Sequence, residues 1–219
     1  KAREKTSSSM CGVHFAHYIV AAGSNFLSTV FAKKISLIAR TGSAPSRWRN
    51  VLMVMLEKKM GCALVGKLRA ILLKEADGNF HSGVMFGGRM MDRAREIGLI
   101  PEEQIAERQC TAEDGVFQKI LMHDYARLKR SAYSVVSADA ANCYDRVNHI
   151  ILALLLWALG MPQGPLAAML VTIASMKYYL RTGFGESRDY MGGDRSRQRM
   201  HGLNQGNRAA SHCWSIVSA

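Results

Sequence analysis

From Ile150 to Met176 the chain carries no charged side chain. A run of that length and apolarity either spans a bilayer or is buried as core. Pro162-Gln-Gly-Pro165 interrupts it. Proline has no N–H and cannot continue a helix, so Pro162 ends one helix and Pro165 suits the start of another. The run therefore predicts two short buried helices joined by a turn. Its flanks are basic or polar and give no orientation bias, and no membrane is expected as a partner. At 219 residues and 48% apolar composition, the chain can bury one good core or parts of two lobes.

Immediately before this run stands Ser137-Ala-Asp-Ala-Ala-Asn-Cys-Tyr-Asp-Arg-Val-Asn-His149. The β-branched run Tyr133-Ser-Val-Val136 predicts a strand that delivers Asp139 to its end. A carboxylate so placed can hold a hard cation, and Mg²⁺ takes one or two protein carboxylates with phosphates and water completing its octahedron. Asp145 precedes the apolar helix and is a candidate cap for it. Tyr144 has an ordinary reading too, as a core aromatic. A second segment, Gly202-Leu-Asn-Gln-Gly-Asn-Arg-Ala-Ala210, is built around a Gln-Gly pair.

In this order and at this gap, the two segments resemble motifs A and B of reverse transcriptases, most closely those of non-LTR retroelements. The resemblance covers residues 46–219 and is strongest at 132–149 and 176–214. It implies an α+β fold: the fingers and part of the palm of a right-hand polymerase, an antiparallel sheet packed on helices. Residues 1–45 would be a helical lead-in, 46–130 fingers, and 131–219 a partial palm. It implies RNA-directed DNA synthesis, in which a primer 3′-hydroxyl attacks the α-phosphate of a deoxynucleoside triphosphate and two Mg²⁺ stabilise the attacking and leaving oxygens. Asp139 and the Ala140 carbonyl would hold metal, with Asp145 structural beside them. Tyr144 would lie beneath the incoming sugar and reject a 2′-hydroxyl. Gln205 and Gly206 would seat the nucleotide against the template. RNA template, DNA primer and deoxynucleoside triphosphates are the implied partners.

The likeness extends upstream. Val51-Leu-Met-Val-Met-Leu56 and Leu64 to Leu73 read as two strands joined by a Gly-containing loop. Family fingers carry a strand ending in Lys, a loop, and a strand opening with Arg-Pro. Here Lys58 and Arg69 stand at those places, with Ala70 where the family has Pro. Both would neutralise triphosphate charge. Their plain alternative is a basic strand edge. Gln104 and Arg108 keep the outer residues of a family segment whose middle is lost.

Other elements follow from local signals. Ser24 or Asn25 caps a helix to about Arg40, with Leu27, Val30, Phe31, Ile35 and Ile38 on one face. Phe80 to Ile100 reads as a helix interrupted by Gly83, Gly87 and Gly88. Thr111-Ala-Glu-Asp114 opens a helix to about Arg130 that would pack beneath the palm sheet. Residues 177–191 read as a β-hairpin around Gly183 and Gly185, followed by a basic stretch at 192–200. The hairpin interleaves Tyr178, Tyr179, Phe184 and Tyr190 with Lys177, Arg181 and Arg188. Such density suits either nucleic-acid contact or a strand face packed on the palm. The second Gln-Gly pair, Gln163-Gly164, follows Asp145 too closely to be the motif.

Twenty-nine Lys and Arg against 17 Asp and Glu leave a formal charge of +12. An excess of that size favours a polyanionic partner over mere solubility. Five scattered Cys, without a C-x-x-C pair, disfavour structural zinc and a disulfide framework. His14 and His17 read as surface or packing residues. No signal peptide or lipidation motif is visible, and both ends read as cut. The family's further catalytic carboxylates lie in motif C, an aromatic-x-Asp-Asp hairpin that does not occur in these 219 residues; the thumb is likewise absent. One Asp cannot complete a two-metal centre. A catalytically inert remnant that binds RNA or DNA is therefore the alternative reading. A third, an unrelated helical protein with accidental Asp spacing, would lack a strand before Asp139.

Overall fold

The structure, a computed structural model, describes residues 9–62, 64–101, 104, 111–137, 139–140, 143–193 and 202–218. Arg108 and most of the basic stretch 192–200 lie outside these residues. The fold is α+β. Helices α1 (Phe15–Ala21) and α2 (Asn25–Thr41) lead into strands β1 (Asn50–Glu57) and β2 (Leu68–Leu73). Then come α3 (Ala76–Ser82), a wide π turn (Gly83–Met90) and α4 (Met91–Glu96). After α5 (Ala112–Leu128) follow α6 (His149–Ala158), α7 (Gln163–Ala174), β3 (Lys177–Thr182), β4 (Gly185–Glu186), β5 (Met191–Gly192) and α8 (Ala210–Ser218).

The sheet is mixed, not antiparallel as expected. Strand order is β2-β1-β3-β4, with β5 also on β3. β1 runs antiparallel to β2 and parallel to β3, in register Asn50↔Lys177 through Val54↔Arg181. A parallel pair needs a long crossover, and here everything from β2 to α7 provides it. The 177–191 hairpin exists, but its return strands are only two residues each. Ser187 Oγ takes the Leu180 N–H at 2.9 Å and so replaces a ladder bond with a side-chain bond.

The charge-free run folds as two short helices. Gly160, at φ 86°, reverses the chain after α6, and Pro162 is the N-cap of α7. Pro165 occupies the first turn of α7, where a missing N–H costs nothing. Asn148, not Asp145, caps α6: its Oδ1 accepts from the N–H groups of Ile150 and Ile151 at 2.8 and 3.3 Å. Gln163-Gly164 has a packing duty. A Cβ at Gly164 would come within 1.9 Å of the Ala39 carbonyl oxygen, so only glycine lets α2 lie on α7. No helix among the described residues is long and apolar enough to cross a membrane.

Helix α2 runs as expected, from the Ser24 cap to Gly42 in the left-handed conformation. His17 Nδ1 accepts the His14 N–H at 3.0 Å at the start of α1, a local structural role. The glycines at 83, 87 and 88 coincide with the interruption of the α pattern by the π turn, although the chain stays helical from Ala76 to Glu96. Gly83 and Gly87 face Arg208 and His212 beside and within α8, where added Cβ atoms would sit 3.3 and 2.8 Å from those side chains. The core joins Val51 and Met53 of β1, Phe86, Leu152 and Leu156 of α6, Ile173 of α7, Tyr178, Leu203 and Ile216.

Two further expectations fail. Residues 131–137 form no strand, and Val135 and Val136 are 57% and 89% exposed. β-propensity reflects packing on a sheet face, and β1 and β3 are already paired on both sides. Tyr133 instead lies edge-on against His123 of α5. Helix α5 has the expected capping box, but it does not pack beneath the sheet: Ala126 is its buried residue, and Val116, Ile120, Leu121, Tyr125 and Leu128 are exposed.

A buried polar cluster pins the start of α3. Asp77 is fully buried and accepts Trp48 Nε1 at 2.9 Å, with Lys34 and Arg47 paired to it. Glu75 pairs with Arg47 and accepts Ser9 Oγ at 2.7 Å. Beside it, burial lowers the Lys74 ammonium from 10.5 to about 8. Such a group opposes folding fully below pH 8, and that cost is relieved as pH rises towards 10.5. Lys74→Met is therefore expected to stabilise the chain by up to roughly 3 kcal/mol at pH 7, with the gain shrinking between pH 8 and 10.5. Chemical denaturation of both proteins across that range checks this; a gain independent of pH would mean a packing effect alone.

Candidate nucleotide-binding site

The stretches around Tyr144 and around Gly202 lie far apart in the chain but meet in space. Leu203 N–H donates to the Tyr144 carbonyl at 2.7 Å, and His149 Nε2 lies 2.7 Å from the Gly202 carbonyl oxygen. Gly202 has φ 89°, and a Cβ there would lie 2.4 Å from the Asp145 Cα and the Tyr144 oxygen. On its other side the loop 202–207 reaches the sheet. Leu72 N–H donates to the Gln205 carbonyl at 2.9 Å. Gly206, at φ 106°, brings its backbone so close that a Cβ would lie 2.3 Å from the Leu72 oxygen. The close approach that glycine permits here is thus to strand β2.

Side chains fix the loop further. Tyr178 is buried, and its hydroxyl donates to Asn204 Oδ1 at 3.3 Å. Asn204 is itself buried and left-handed at φ 64°, a conformation Asn tolerates better than most residues. Asn207 Oδ1 accepts the Ala209 N–H at 3.1 Å and so closes the entry to α8. Asn79 Nδ2 donates to the Gly206 carbonyl at 3.3 Å. Asp145 stands exposed on a short 3₁₀ turn, Cys143–Arg146, where neighbouring protein partly shields its carboxyl from water and raises it from its ordinary value. Burial also raises the Tyr178 phenol, and the Asp145 charge adds to the shift.

Of the residues singled out in the sequence, Tyr144 and Asp145 meet the loop at Gly202 and Leu203, whereas Gln205 and Gly206 meet Leu72 of β2 on its other side. Tyr144 is half-buried and packs against the main core. Strand β2 links the junction to Arg69, three residues before Leu72 and so about 10 Å along the strand. Arg69 pairs with Leu56 across the ladder, and Lys58 follows two residues later with its N–H on the Lys67 carbonyl. Both cations are exposed. Asp139 and Ala140 are exposed as well. Ala140 lines a cavity of about 320 Å³ with Cys143, Ile151 and Trp214. No described contact ties Asp139 to the Gln205 loop, and no cluster of three or more His, Cys, Asp or Glu able to hold a metal exists among the described residues. One carboxylate beside a carbonyl suits a single Mg²⁺ completed by phosphate and water; it does not make a two-metal centre.

The aromatic-cationic hairpin divides between its two readings. Tyr178 faces inward. Lys177 lies over the Tyr190 ring at 4.7 Å from its centroid, Tyr179 packs on the same ring, and Phe184 is fully exposed at the tip. Arg181 is paired with Glu186 across the strands. What sequence reasoning missed is the Tyr178–Asn204 bond and the Asn79 anchor; Asn204 next to Gln-Gly was visible, its partner was not. No protein-family model matches the chain, and no curated protein matches it.

The close approaches predict that Gly202→Ala and Gly206→Ala each cost about 2–4 kcal/mol, combining left-handed strain with a backbone clash. Gly61→Ala, with φ 78° but nothing within 4 Å, is the control and is expected to cost only about 1 kcal/mol. Thermal melts of the three variants decide; equal losses would show that the loop does not dock as described.

Proposed function

We propose that these residues are the fingers and N-terminal palm of an RNA-directed DNA polymerase of the non-LTR retroelement type. The observation that carries the reading is the docking of the Gly202–Asn207 loop between Tyr144–Asp145 and strand β2. Two segments that separately resemble family motifs are in contact, and the loop's other side meets the strand that carries Arg69. In this reading Lys58 and Arg69 bind the triphosphate of the incoming deoxynucleotide. Tyr144 meets its sugar, and Gln205 and Gly206 position it against the RNA template and DNA primer. Asp139 and the Ala140 carbonyl hold Mg²⁺, which when bound supplies Lewis-acid stabilisation of phosphate oxygens. The missing strand before Asp139 is what the third reading, a helical protein, expected; the five-stranded mixed sheet speaks against that reading.

A second reading has its own support. The 219 residues hold no aromatic-x-Asp-Asp segment. Alone they would bind nucleic acid through the basic surface without chemistry.

Both readings predict binding of an RNA–DNA primer–template with log affinity falling linearly against log salt. Lys58→Gln with Arg69→Gln is expected to reduce that slope by about 2 if both meet phosphate. Fluorescence anisotropy across a salt series measures it, and a salt-independent affinity would count against both readings. Primer extension separates them. The chain alone should not extend a primer with Mg²⁺ or Mn²⁺. Joined to a segment carrying motif C and a thumb, it should extend one; Asp139→Asn should then abolish synthesis at nearly unchanged template affinity. Tyr144→Ala should retain synthesis and admit ribonucleotides. Continued inactivity of the joined protein would leave the inert binder as the correct reading, and full activity of Asp139→Asn would refute the site.

A further inference from the structure

A pocket of about 270 Å³ opens between the end of α2, the π turn with α4, and the turn joining α6 to α7. None of the residues assigned above to nucleotide or metal lines it. Its floor is apolar, with Met85, Met90, Met161 and Pro165. Three arginines line it: Arg40 from the last turn of α2, and Arg89 and Arg93, four residues apart on one helix face. No acidic residue lines it. Arg93 is paired to Glu96 at 3.3 Å. Arg40 and Arg89 have no ion-pair partner among the described residues.

Three like charges around one cavity repel, and a protein normally disperses or pairs them. Arg40 gains something from the carbonyl end of α2, but Arg89 stands within a continuous helix and gains nothing comparable. All three side chains are exposed, so water screens much of that repulsion, but an anion in the cavity would meet all three charges at once. Guanidinium groups present paired donors that match the oxygens of a phosphate. The methionine floor accepts an apolar body, since thioether side chains adapt their shape and contact aromatic rings well. A phosphate on a nucleic-acid backbone would meet the arginines but leave this floor unused.

We propose that this pocket binds a small phosphorylated molecule with an aryl or alkyl body, the phosphate held by Arg40, Arg89 and Arg93 and the body resting on Met85, Met90 and Met161. The site is independent of the polymerase reading and stands or falls without it.

The test uses the 219-residue chain with its methionine methyl groups labelled with carbon-13. The probe is 1-naphthyl phosphate. Its titration should shift the methyl resonances of Met85, Met90 and Met161 saturably, out of the 13 methionines in the chain. The Arg40→Gln, Arg89→Gln double variant should bind at least about tenfold more weakly while its remaining methyl spectrum stays native, which establishes that it is folded. Inorganic phosphate should bind more weakly than the probe, and 1-naphthylmethylammonium should not shift these methyls. Several results would overturn the assignment: equal binding of the ammonium compound, unchanged affinity in the double variant, shifts confined to other methionines, or no saturation. An abasic oligodeoxynucleotide that moves the same three methyls as strongly as 1-naphthyl phosphate would also overturn it, in favour of a backbone-phosphate contact.

Discussion

Two close backbone contacts organise the candidate site. The loop 202–207 touches the Tyr144–Asp145 turn at Gly202 and strand β2 at Gly206, and at neither point is there room for a Cβ. Hydrogen bonds from Leu203, Leu72 and Asn79 then lock it from three elements. Each such bond contributes only about 1 kcal/mol net, but leaving its buried partners unsatisfied would cost more. The loop therefore has essentially one way to sit. Its position fixes the entry of α8, and α8 in turn packs on α6 and on the glycine face of the helix from Ala76 to Glu96.

What was legible in the sequence was local or set by strong punctuation. The Ser24 cap, the Thr111 capping box, the proline-divided apolar run and the glycine-bearing β1–β2 loop all became the elements expected. Their causes lie within a few residues. The strand before Asp139 was not legible in the same sense. Val135 and Val136 favour a pleated surface only if a neighbouring strand offers one, and the interior strands β1 and β3 have no free edge. Glycine was legible in part. At 83 and 87 it marked where the α pattern yields to a π turn, but the side chains of Arg208 and His212 that approach it there were not visible in sequence. Asn148 against Asp145 is the same lesson at short range: both residue types cap helices, and one place along the chain decides which does.

The polar cluster around Glu75 and Asp77 shows a different limit. Nothing in the spacing of Ser9, Lys34, Arg47, Trp48, Glu75 and Asp77 marks them as partners, yet they bring the N-terminal segment, α2, the 46–49 turn and α3 to one point. Buried carboxylates are tolerable only when paired and hydrogen-bonded, and Asp77 receives Trp48, Lys34 and Arg47. Such a cluster specifies one geometry more than it adds net stability, because desolvation consumes much of the charge attraction. In a chain with a formal charge of +12, it also removes two cations from the surface that would meet a polyanion.

The sheet also limits how the molecule can move on a substrate. Expected fingers (46–130) and expected palm (131–219) share one sheet, since β1 pairs with β3 over five rungs. They also share one core, in which Val51 and Phe86 pack with Leu152, Ile173 and Tyr178. A rigid rotation of one part against the other would have to break that ladder and expose that core, a cost far above thermal energy. The described residues between Lys58 and Lys67 lie beyond the last rung of β1 and β2, outside both ladder and core. The end of this segment is held by the Lys58 N–H on the Lys67 carbonyl, and Met60, Leu64 and Val65 along it are exposed. Few buried contacts restrain such a segment. Lys58 stands at the base of that segment, whereas Arg69 lies inside the ladder opposite Leu56 and is held there, as the loop at Gln205 and Gly206 is held by its backbone contacts.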